Sequence, residues 1–285
     1  MTRRALVLGA GGIAAYAWQI GLLSGMVEAG LDVPKSADLF VGTSAGARVA
    51  AQLAGGAPLD RLFQAQLESH NAAAAPAPRV DFARVRTEVI RARQAGGSPA
   101  EILKRIGTIA LATQPSRSTA RRDFVASQLP SSSWPAQPTL IATVDTETGA
   151  RTVFDSATGI SLLDAVLASG AVAGIYPPIE FRGHHFMDGG FYAIANADLA
   201  VGCDRVLVST LRAGNPPLAL VSLESTVERL QAAGARVEVI FPDDATEAAF
   251  ASTGGMFDPA VAAPAATAGR QQGHAAAERI AEFWR

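Results

Sequence analysis

The chain has 285 residues, of which 49% are hydrophobic and 18% charged, so it carries enough apolar surface for a large folded core. Its 24 lysine and arginine residues nearly balance 26 aspartate and glutamate residues, which argues against the surplus of positive charge that nucleic-acid binding needs. Cys203 is the only cysteine, which excludes an internal disulfide and a zinc site built from several thiolates.

The first sixty residues alternate short apolar strands with helical stretches. Strands are predicted at Arg4–Leu8 and Asp38–Val41, and helices at Tyr16–Glu28 and Ala45–Leu53. Such alternation is typical of βαβ units in a mostly parallel sheet.

The N-terminus also resembles a secretory signal, because Arg3 and Arg4 precede an apolar run that reaches Trp18. Three glycines within that run favour a buried strand followed by a tight turn. No uninterrupted apolar run reaches the ~20 residues of a membrane helix, since the best candidate, 160–176, contains Asp164 and two glycines. We therefore expect a cytoplasmic protein, with peripheral contact to a lipid surface left open.

Strand signals vanish between about residues 57 and 130, where a helical insertion is predicted. The surrounding core is expected to cover about residues 5–211 and to be followed by a C-terminal α/β extension over 212–285. Together they form one α/β domain over residues 1–285. The elements predicted after the insertion are strands at Thr139–Val144, Arg151–Phe154, Ile179–Phe181, His185–Met187, Arg205–Leu211 and Arg236–Phe241, helices at Leu162–Ser169 and Ser222–Ala233, and a loop at Gly254–Gly269 before a final helix to Trp284.

Residues Gly42-Thr43-Ser44-Ala45-Gly46 match the pattern G-x-S-x-G between a predicted strand and a predicted helix. A nucleophilic serine projects from a sharp strand-to-helix turn, where small residues two positions away on either side relieve crowding. The alternative is an ordinary turn in which Ser44 caps the helix. A predicted strand directly precedes the motif and a predicted helix directly follows it, which favours the interpretation as a nucleophile turn.

The segment Gly9–Ala14 forms the turn after the first strand. Read as G-x-G-x-x-A, it resembles a dinucleotide fingerprint, which expects an acidic residue at the end of the second strand. The only acid there, Asp38, lies at the start of that strand, so a dinucleotide cofactor is poorly supported and none is expected. Backbone N–H groups of Gly11 and Gly12 can instead face an oxyanion at a helix N-terminus, beside Ser44.

A nucleophilic serine needs a base, and four histidines are present. His70 falls in the predicted insertion, while His184 and His185 lie at a predicted hairpin tip. His274 would suit the Ser, Asp, His order of α/β-hydrolases, but no strand precedes it to position the ring. We interpret all four as solvated or structural.

Asp188 is the better candidate base, because it ends a predicted strand and precedes Gly189 and Gly190, which permit close backbone approach. A carboxylate is a weak base unless burial raises its pKa. The alternative is that Asp188 only caps a turn, as is common for Asp-Gly.

Three segments, Leu8–Gly12, Gly42–Gly46 and Asp188–Gly190, together and in this order resemble the patatin-like phospholipase family of bacterial type. The resemblance covers about residues 5–211 and is least clear in the helical insertion. Supporting segments are 18–23, 167–170, 176–178 and Asn196.

The resemblance implies a three-layer α/β/α sandwich with a mostly parallel central sheet and a helical insertion. Members of the family are lipid acyl hydrolases with a Ser–Asp dyad and no catalytic histidine. By similarity, Ser44 would be the nucleophile, Asp188 its base, and Gly11 and Gly12 the oxyanion donors, with Gly9 completing the glycine motif. The implied partner is a lipid or acyl-ester substrate.

Two departures from the family pattern concern the glycine loop. Ala14 stands where the family commonly carries Arg or Lys, and Ala10 interrupts the glycine run. A backbone donor survives either change, but the charge of the lost cation does not. We expect consequences for efficiency and head-group choice more than for the type of reaction.

Two other functions compete with an ester hydrolase. An acyltransferase or thioesterase would use the same serine on acyl thioesters, usually with a histidine base. A degenerate member would bind lipid without catalysis, although the retention of Ser44 and Asp188 weighs against it. No metal site is expected, because the histidines and carboxylates show no ligand spacing.

Overall fold

The computed structural model describes residues 2–68, 82–114, 118–214 and 217–285. Eight strands in these ranges form one sheet, and its central strands are short, apolar and buried. The strands are β1 (Arg4–Leu8), β2 (Leu39–Thr43), β3 (Thr139–Asp145), β4 (Arg151–Phe154), β5 (Ile179–Phe181), β6 (His184–Asp188), β7 (Arg205–Ser209) and β8 (Arg236–Ile240).

Five of these strands run parallel, in the order β8-β7-β1-β2-β3. β4 and β6 both pair antiparallel with β3, and β5 pairs antiparallel with β6. The mostly parallel sheet predicted from the sequence is therefore confirmed, with antiparallel strands confined to the side of β3.

β2 and β6 share one edge of β3 and meet there end to end. Ala142 of β3 pairs with Thr43 of β2 and also with β4, whereas the next residue, Thr143, pairs with Asp188 of β6 and also with β4. Since β4 occupies the same edge at both residues, β2 and β6 must both lie along the opposite edge. Thr43 and Asp188 thus face consecutive residues of β3, which brings Ser44 beside Asp188.

Helices cover both faces of the sheet, as expected for strands that bury side chains alternately on either side. Leu6 and Leu8 of β1 pack with helices on one face, and Ala5 and Val7 pack with helices on the other. The helices are α1 (Gly12–Glu28), α2 (Val33–Ser36), α3 (Ala45–Ala54), α4 (Leu59–Leu67), α5 (Phe82–Gln94), α6 (Pro99–Leu111), α7 (Ser118–Gln128), α8 (Leu162–Ser169), α9 (Leu223–Ala232), α10 (Asp244–Ala251) and α11 (Ala262–Trp284). The three-layer α/β/α sandwich is confirmed.

The described residues between 57 and 130 contain helices α4 to α7 and no strand. α5 and α6 pack their apolar faces on the β3–β6 end of the sheet, through Val89, Leu103 and Ile106. α7 packs beside α8 through Val125 and Leu129. His70 lies outside the described residues.

Most predicted boundaries differ from the structure by one or two residues, but two differ by four or more. α1 begins at Gly12 rather than at Tyr16, so the glycine loop runs directly into the helix. The predicted loop Gly254–Gly269 contains the first part of α11, which begins at Ala262. Its alanines favour a helix, and burial of that helix against α1 outweighs the Pro and Gly residues that suggested a loop.

α1 and α11 pack with their backbones in close approach, because glycines occupy the contact on both helices. A Cβ atom at Gly21 would lie 2.0 Å from the carbonyl oxygen of Ala266, and one at Gly273 would lie 2.1 Å from that of Leu22. This contact fixes α1, whose N-terminus carries the glycine loop, against the C-terminal part of the chain.

No helix among the described residues has both the length and the apolar character needed to cross a bilayer. The apolar run at 160–176, considered above, contains the short helix α8 and the turns that follow it.

The close contact between α1 and α11 predicts that Gly273→Ala destabilises the fold. Helix propensity alone would make this change stabilising by about 1 kcal/mol. We instead expect a loss of about 1–3 kcal/mol in the free energy of unfolding, measured in urea, because the new methyl group meets backbone atoms.

The control is Ala275→Gly, at an exposed position of the same helix, which should lose only the propensity difference of about 1 kcal/mol. A Gly273→Ala protein more stable than the wild type would contradict the close packing of α1 and α11.

Candidate active site

Three loops meet at the carboxyl ends of β1, β2 and β6. A Cβ atom at Gly46 would lie 2.1 Å from the carbonyl oxygen of Leu8, so the turn after β2 lies directly against the turn after β1. A Cβ atom at Gly190 would lie 3.2 Å from the Cβ atom of Ala10, so the loop after β6 reaches the same point. The structure thus brings together the three segments that the sequence singled out.

Ser44 occupies a strained position between β2 and α3. Its φ of 55° and ψ of −117° are unusual for a residue with a side chain. Its side chain makes no capping hydrogen bond to α3, so the interpretation of Ser44 as a helix cap is not supported. Cβ atoms at Gly42 and Gly46 would lie 2.5 Å from Ala47 Cα and 2.1 Å from Leu8 O, so only glycine fits at either position.

The backbone of Ser44 is held by a second serine. The N–H group of Ser44 donates to Ser169 Oγ at 2.8 Å, and Ser169 Oγ donates to the carbonyl oxygen of Ala142 at 2.7 Å. Ser169 is the last residue of α8 and is fully buried. Sequence reasoning gave it no role beyond a supporting segment, because a serine at a helix end carries no motif of its own.

Asp188 is buried at the end of β6, with 4% of its surface exposed. Burial raises the pKa of its carboxyl group from an ordinary 3.8 to about 6, although hydrogen bonds with the Ser44 side chain and the Gly190 N–H and the charge of Arg121 act in the opposite direction. The N–H group of Gly190 donates to Asp188 Oδ1 at 2.7 Å, so Asp188 caps its turn, as the alternative interpretation predicted. The Ser44 side chain also favours the ionised form of Asp188, an interaction that a turn cap alone does not require.

Asn196 joins the two strand ends. Its side-chain amide donates to Thr43 Oγ1 at 3.1 Å, to the carbonyl oxygen of Gly189 at 3.3 Å and to that of Ala193 at 2.8 Å. The first two acceptors are neighbours of Ser44 and Asp188, respectively. Asn196 is fully buried and has a left-handed backbone conformation with a φ of 50°, which asparagine adopts more readily than most residues. In the sequence, Asn196 only supported the resemblance to the family. In the structure, its side chain connects the residues next to Ser44 and Asp188.

The glycine loop presents backbone donors next to this pair. Gly11 and Gly12 have φ values of 148° and 63°, which favour glycine, and Gly12 is the first residue of α1. No hydrogen bond between described residues uses the N–H groups of Gly11, Gly12 or Ala45. These groups lie at the N-termini of α1 and α3, where helix dipoles favour negative charge.

The other glycines of the motifs are explained by contacts. A Cβ atom at Gly9 would lie 2.3 Å from Thr210 Oγ1, and one at Gly189 would lie 2.4 Å from the carbonyl oxygen of Ala142. Both glycines therefore let a loop pass close to a neighbouring strand end.

An arginine pair that sequence reasoning missed lies beside the site. Arg121 of α7 donates to the carbonyl oxygen of Leu167 at 2.9 Å and stacks on Tyr176 at 4.2 Å from the ring centroid. Burial lowers the pKa of Arg121 to about 10; the nearby Arg48 acts in the same direction, and Tyr176 and Asp188 oppose it. Arg121 therefore stays charged at neutral pH. No sequence signal marks it, since α7 belongs to the predicted insertion.

The described histidines share no hydrogen bond with Ser44 or Asp188. His274, which would suit the chain order of an α/β-hydrolase, lies on α11 and contacts Glu28 at 2.8 Å.

Near the end of β3, the ligand atoms of Asp145, Glu147 and His184 lie within 4.8 Å of one another, a grouping that sequence spacing did not reveal. The Asp145 carboxylate already accepts the N–H groups of Glu147 and Thr148 and contacts His184 at 2.8 Å. These contacts account for the cluster as the hydrogen-bonded end of a hairpin.

Two proteins with solved structures are similar to this chain. VipD from Legionella pneumophila shares 14% identity, with a TM-score of 0.52 over 98% of this chain and 67% of VipD. ExoU from Pseudomonas aeruginosa, solved in complex with SpcU, shares 17% identity, with a TM-score of 0.41 over 98% of this chain. The chain spans about half of ExoU, at 52% of its length. A search of curated proteins found no match.

The model of the patatin-like phospholipase family matches residues 6–201, which is more than half of the chain and includes all three loops of the site. The chain belongs to the patatin-like phospholipase family.

Proposed function

We propose that the protein is a serine lipid acyl hydrolase of the phospholipase A, lysophospholipase or esterase type, in which Ser44 is the nucleophile and Asp188 its base. The observation that carries the proposal is that Ser44, on a strained turn, and the buried carboxylate of Asp188 follow strands that pair with consecutive residues of β3. Membership of the family indicates a lipid hydrolase, and the geometry supports this particular dyad.

The first half of the reaction forms an acyl-enzyme. Asp188 takes the proton of the Ser44 hydroxyl group as the oxygen attacks the ester carbonyl carbon, which becomes tetrahedral. N–H groups of Gly11, Gly12 and Ala45 stabilise the negative charge that develops on the carbonyl oxygen. The carbon–oxygen bond to the alcohol then breaks, and the alcohol leaves with the proton from Asp188.

The second half of the reaction releases the fatty acid. Asp188 takes a proton from a water molecule, and the resulting hydroxide attacks the acyl-serine carbonyl carbon. The same N–H groups stabilise the second tetrahedral intermediate. Ser44 leaves as the hydroxyl form after the proton returns from Asp188, and the site is restored.

A pKa near 6 suits Asp188 to this role. At neutral pH the carboxylate is ionised and can accept a proton, yet it is a much stronger base than an exposed aspartate. A histidine-dependent acyltransferase or thioesterase is less well supported, because no described histidine contacts the pair. A lipid-binding protein without catalysis does not require a strained serine.

Ser44 is expected to react with a fluorophosphonate probe, and the Ser44→Ala protein to lose labelling completely. Asp188→Asn should label about 10²–10⁴-fold more slowly, because the base is lost. Labelling is measured by mass spectrometry of the modified peptide. Hydrolysis of nitrophenyl esters, lysophospholipids and phospholipids by the same proteins identifies the substrate.

His274→Ala is the matched control and should keep both labelling and hydrolysis. A large loss in His274→Ala would favour the acyltransferase or thioesterase alternative. Equal labelling of wild type and Asp188→Asn would exclude Asp188 as the base.

The pH profile of kcat/KM should show an acidic limb near pH 6. Asp188 must be ionised to accept the proton, so activity is present above its pKa and falls about tenfold per pH unit below it. Arg121→Gln should move this limb to higher pH, since the positive charge of Arg121 favours the ionised carboxylate. A limb near pH 4 in the wild type would contradict the burial of Asp188.

Asp188→Asn is expected to stabilise the fold while it abolishes activity. The folded-state pKa is raised, so stability falls as the pH rises from about 4 to about 6, by up to about 3 kcal/mol for a shift of about two pH units, and stays lower above pH 6. Below pH 4 both states bind the proton and the difference disappears. Urea unfolding at pH 4 and at pH 7.5 measures this pH dependence.

Asp198→Asn provides the opposite control, because Asp198 accepts two hydrogen bonds from Arg151, at 2.7 and 2.9 Å. This variant should lose stability at pH 7.5. An Asp188→Asn protein less stable than the wild type at pH 7.5 would show that the fold stabilises the ionised carboxylate, which would contradict a raised pKa.

A further inference from the structure

Two arginines from different elements converge beside the dyad. Arg48 lies in the first turn of α3, four residues after Ser44. Arg121 belongs to α7 and lies against the end of α8. A Cβ atom added at Gly170, which follows α8, would lie 3.0 Å from Arg121 Nη2. The guanidinium carbon of Arg48 lies 5.8 Å from the centre of the Phe124 ring, which belongs to α7 as Arg121 does, and the charges of both arginines act on Tyr176.

Neither guanidinium group has a carboxylate partner among the described residues. Arg48 stacks on the ring of Tyr16 at 3.4 Å from its centroid, but it makes no hydrogen bond to a described residue. It is only half-buried, so its donors remain accessible. Other arginines near the sheet, such as Arg151, are paired with acids.

The two like charges repel each other. Arg121 has a structural role, since it caps the end of α8 and stacks on Tyr176. Arg48 packs against the rings of Tyr16 and Phe124, but unlike Arg121 it makes no hydrogen bond to a described residue. With Asp188 ionised, the cluster retains one positive charge in excess, which matches the single negative charge of a phosphodiester.

We propose that Arg48 and Arg121 form a subsite for the phosphate or phosphodiester group of an acyl-ester substrate. The inference rests on the proposed function and names its substrate class. Two guanidinium groups offer N–H donors to two non-bridging phosphate oxygens, which is the geometry that arginine favours. The Tyr176 hydroxyl group, which has no hydrogen-bond partner among the described residues, lies beside them as a further donor.

The subsite selects esters that carry the anionic group near the scissile carbonyl. Arg48 lies in the first turn of the helix that Ser44 precedes, so both side chains start from the same end of α3. A glycerol backbone that links an acyl ester to a phosphate is long enough to reach both. An uncharged acylglycerol of the same chain length fills the acyl part of the site without this interaction.

Binding can be tested without turnover, with octyl phosphate as the probe in titration calorimetry. It carries an alkyl chain and a phosphate group but no carboxylic ester. We expect it to bind the wild type, and to bind Arg48→Gln and Arg121→Gln about tenfold more weakly or worse, as for the loss of a charge-assisted hydrogen bond. Octanol and inorganic phosphate serve as separate arms.

The two phosphate probes distinguish a lipid site from a simple anion site. Weaker binding of inorganic phosphate than of octyl phosphate, with the same arginine dependence, supports a lipid head-group site. Equal binding of the two phosphates would show an anion site unconnected to an acyl pocket and would overturn the proposal. So would octyl phosphate binding that is unchanged in both variants.

Specificity is tested by the ratio of kcat/KM for lysophosphatidylglycerol to that for monoacylglycerol with the same acyl chain. Arg48→Gln should lower this ratio about tenfold, and Arg48→Lys should restore part of it by returning the charge. The matched control is Arg122→Gln, the neighbour of Arg121, which pairs with Asp164 and should leave the ratio unchanged.

The binding and hydrolysis experiments distinguish a failure of this inference from a failure of the proposed function. Hydrolysis of both esters with a ratio that does not depend on Arg48 would overturn the subsite and leave the dyad intact. Arginine-dependent binding of octyl phosphate by a protein that hydrolyses no ester would retain the subsite and reject the hydrolase. Since Arg121→Gln also removes a contact to α8, Arg48→Gln is the decisive variant.

Discussion

The end-to-end meeting of β2 and β6 along one edge of β3 is the constraint on which the candidate site depends. β3 extends beyond the last residue of β2, and β6 pairs with the part that remains. This arrangement sets Ser44 beside Asp188, although a large part of the chain separates them. Asn196 then ties the two strand ends together, and Ser169 ties the turn of Ser44 to β3, so the geometry does not depend on the two side chains alone.

Two unfavourable features are concentrated at this point. Ser44 holds a strained backbone conformation, and Asp188 holds a buried carboxylate whose ionisation the surroundings oppose. The surrounding glycines and the buried hydrogen bonds of Asn196 offset these costs. Under the proposed mechanism the same features expose the Ser44 hydroxyl group and make the Asp188 carboxylate basic. The features that lower the stability of the fold are therefore those that make the site reactive.

Charge near the dyad comes from unexpected elements. Ala14 stands where the resemblance implies a cation, so this position supplies no charge. Arg48 and Arg121 supply positive charge from α3 and α7 instead, and the charge of Arg121 acts directly on Asp188. Head-group recognition in the proposed hydrolase would therefore depend on how the helices between β2 and β3 pack on the sheet.

The sequence by itself determined the local features of this protein. Apolar runs gave the strands of the parallel sheet, and the motifs around Gly9, Ser44 and Asp188 identified the three loops, because strained turns and close backbone contacts demand glycine at fixed offsets. Only the tertiary structure decided that α11 begins at Ala262, that Ser169 and Asn196 position the dyad, and that Arg48 and Arg121 lie together beside it. A helix boundary set by burial, a buried serine, and two arginines on separate helices leave no pattern in the sequence, since their roles arise from contacts between residues that are distant in the chain.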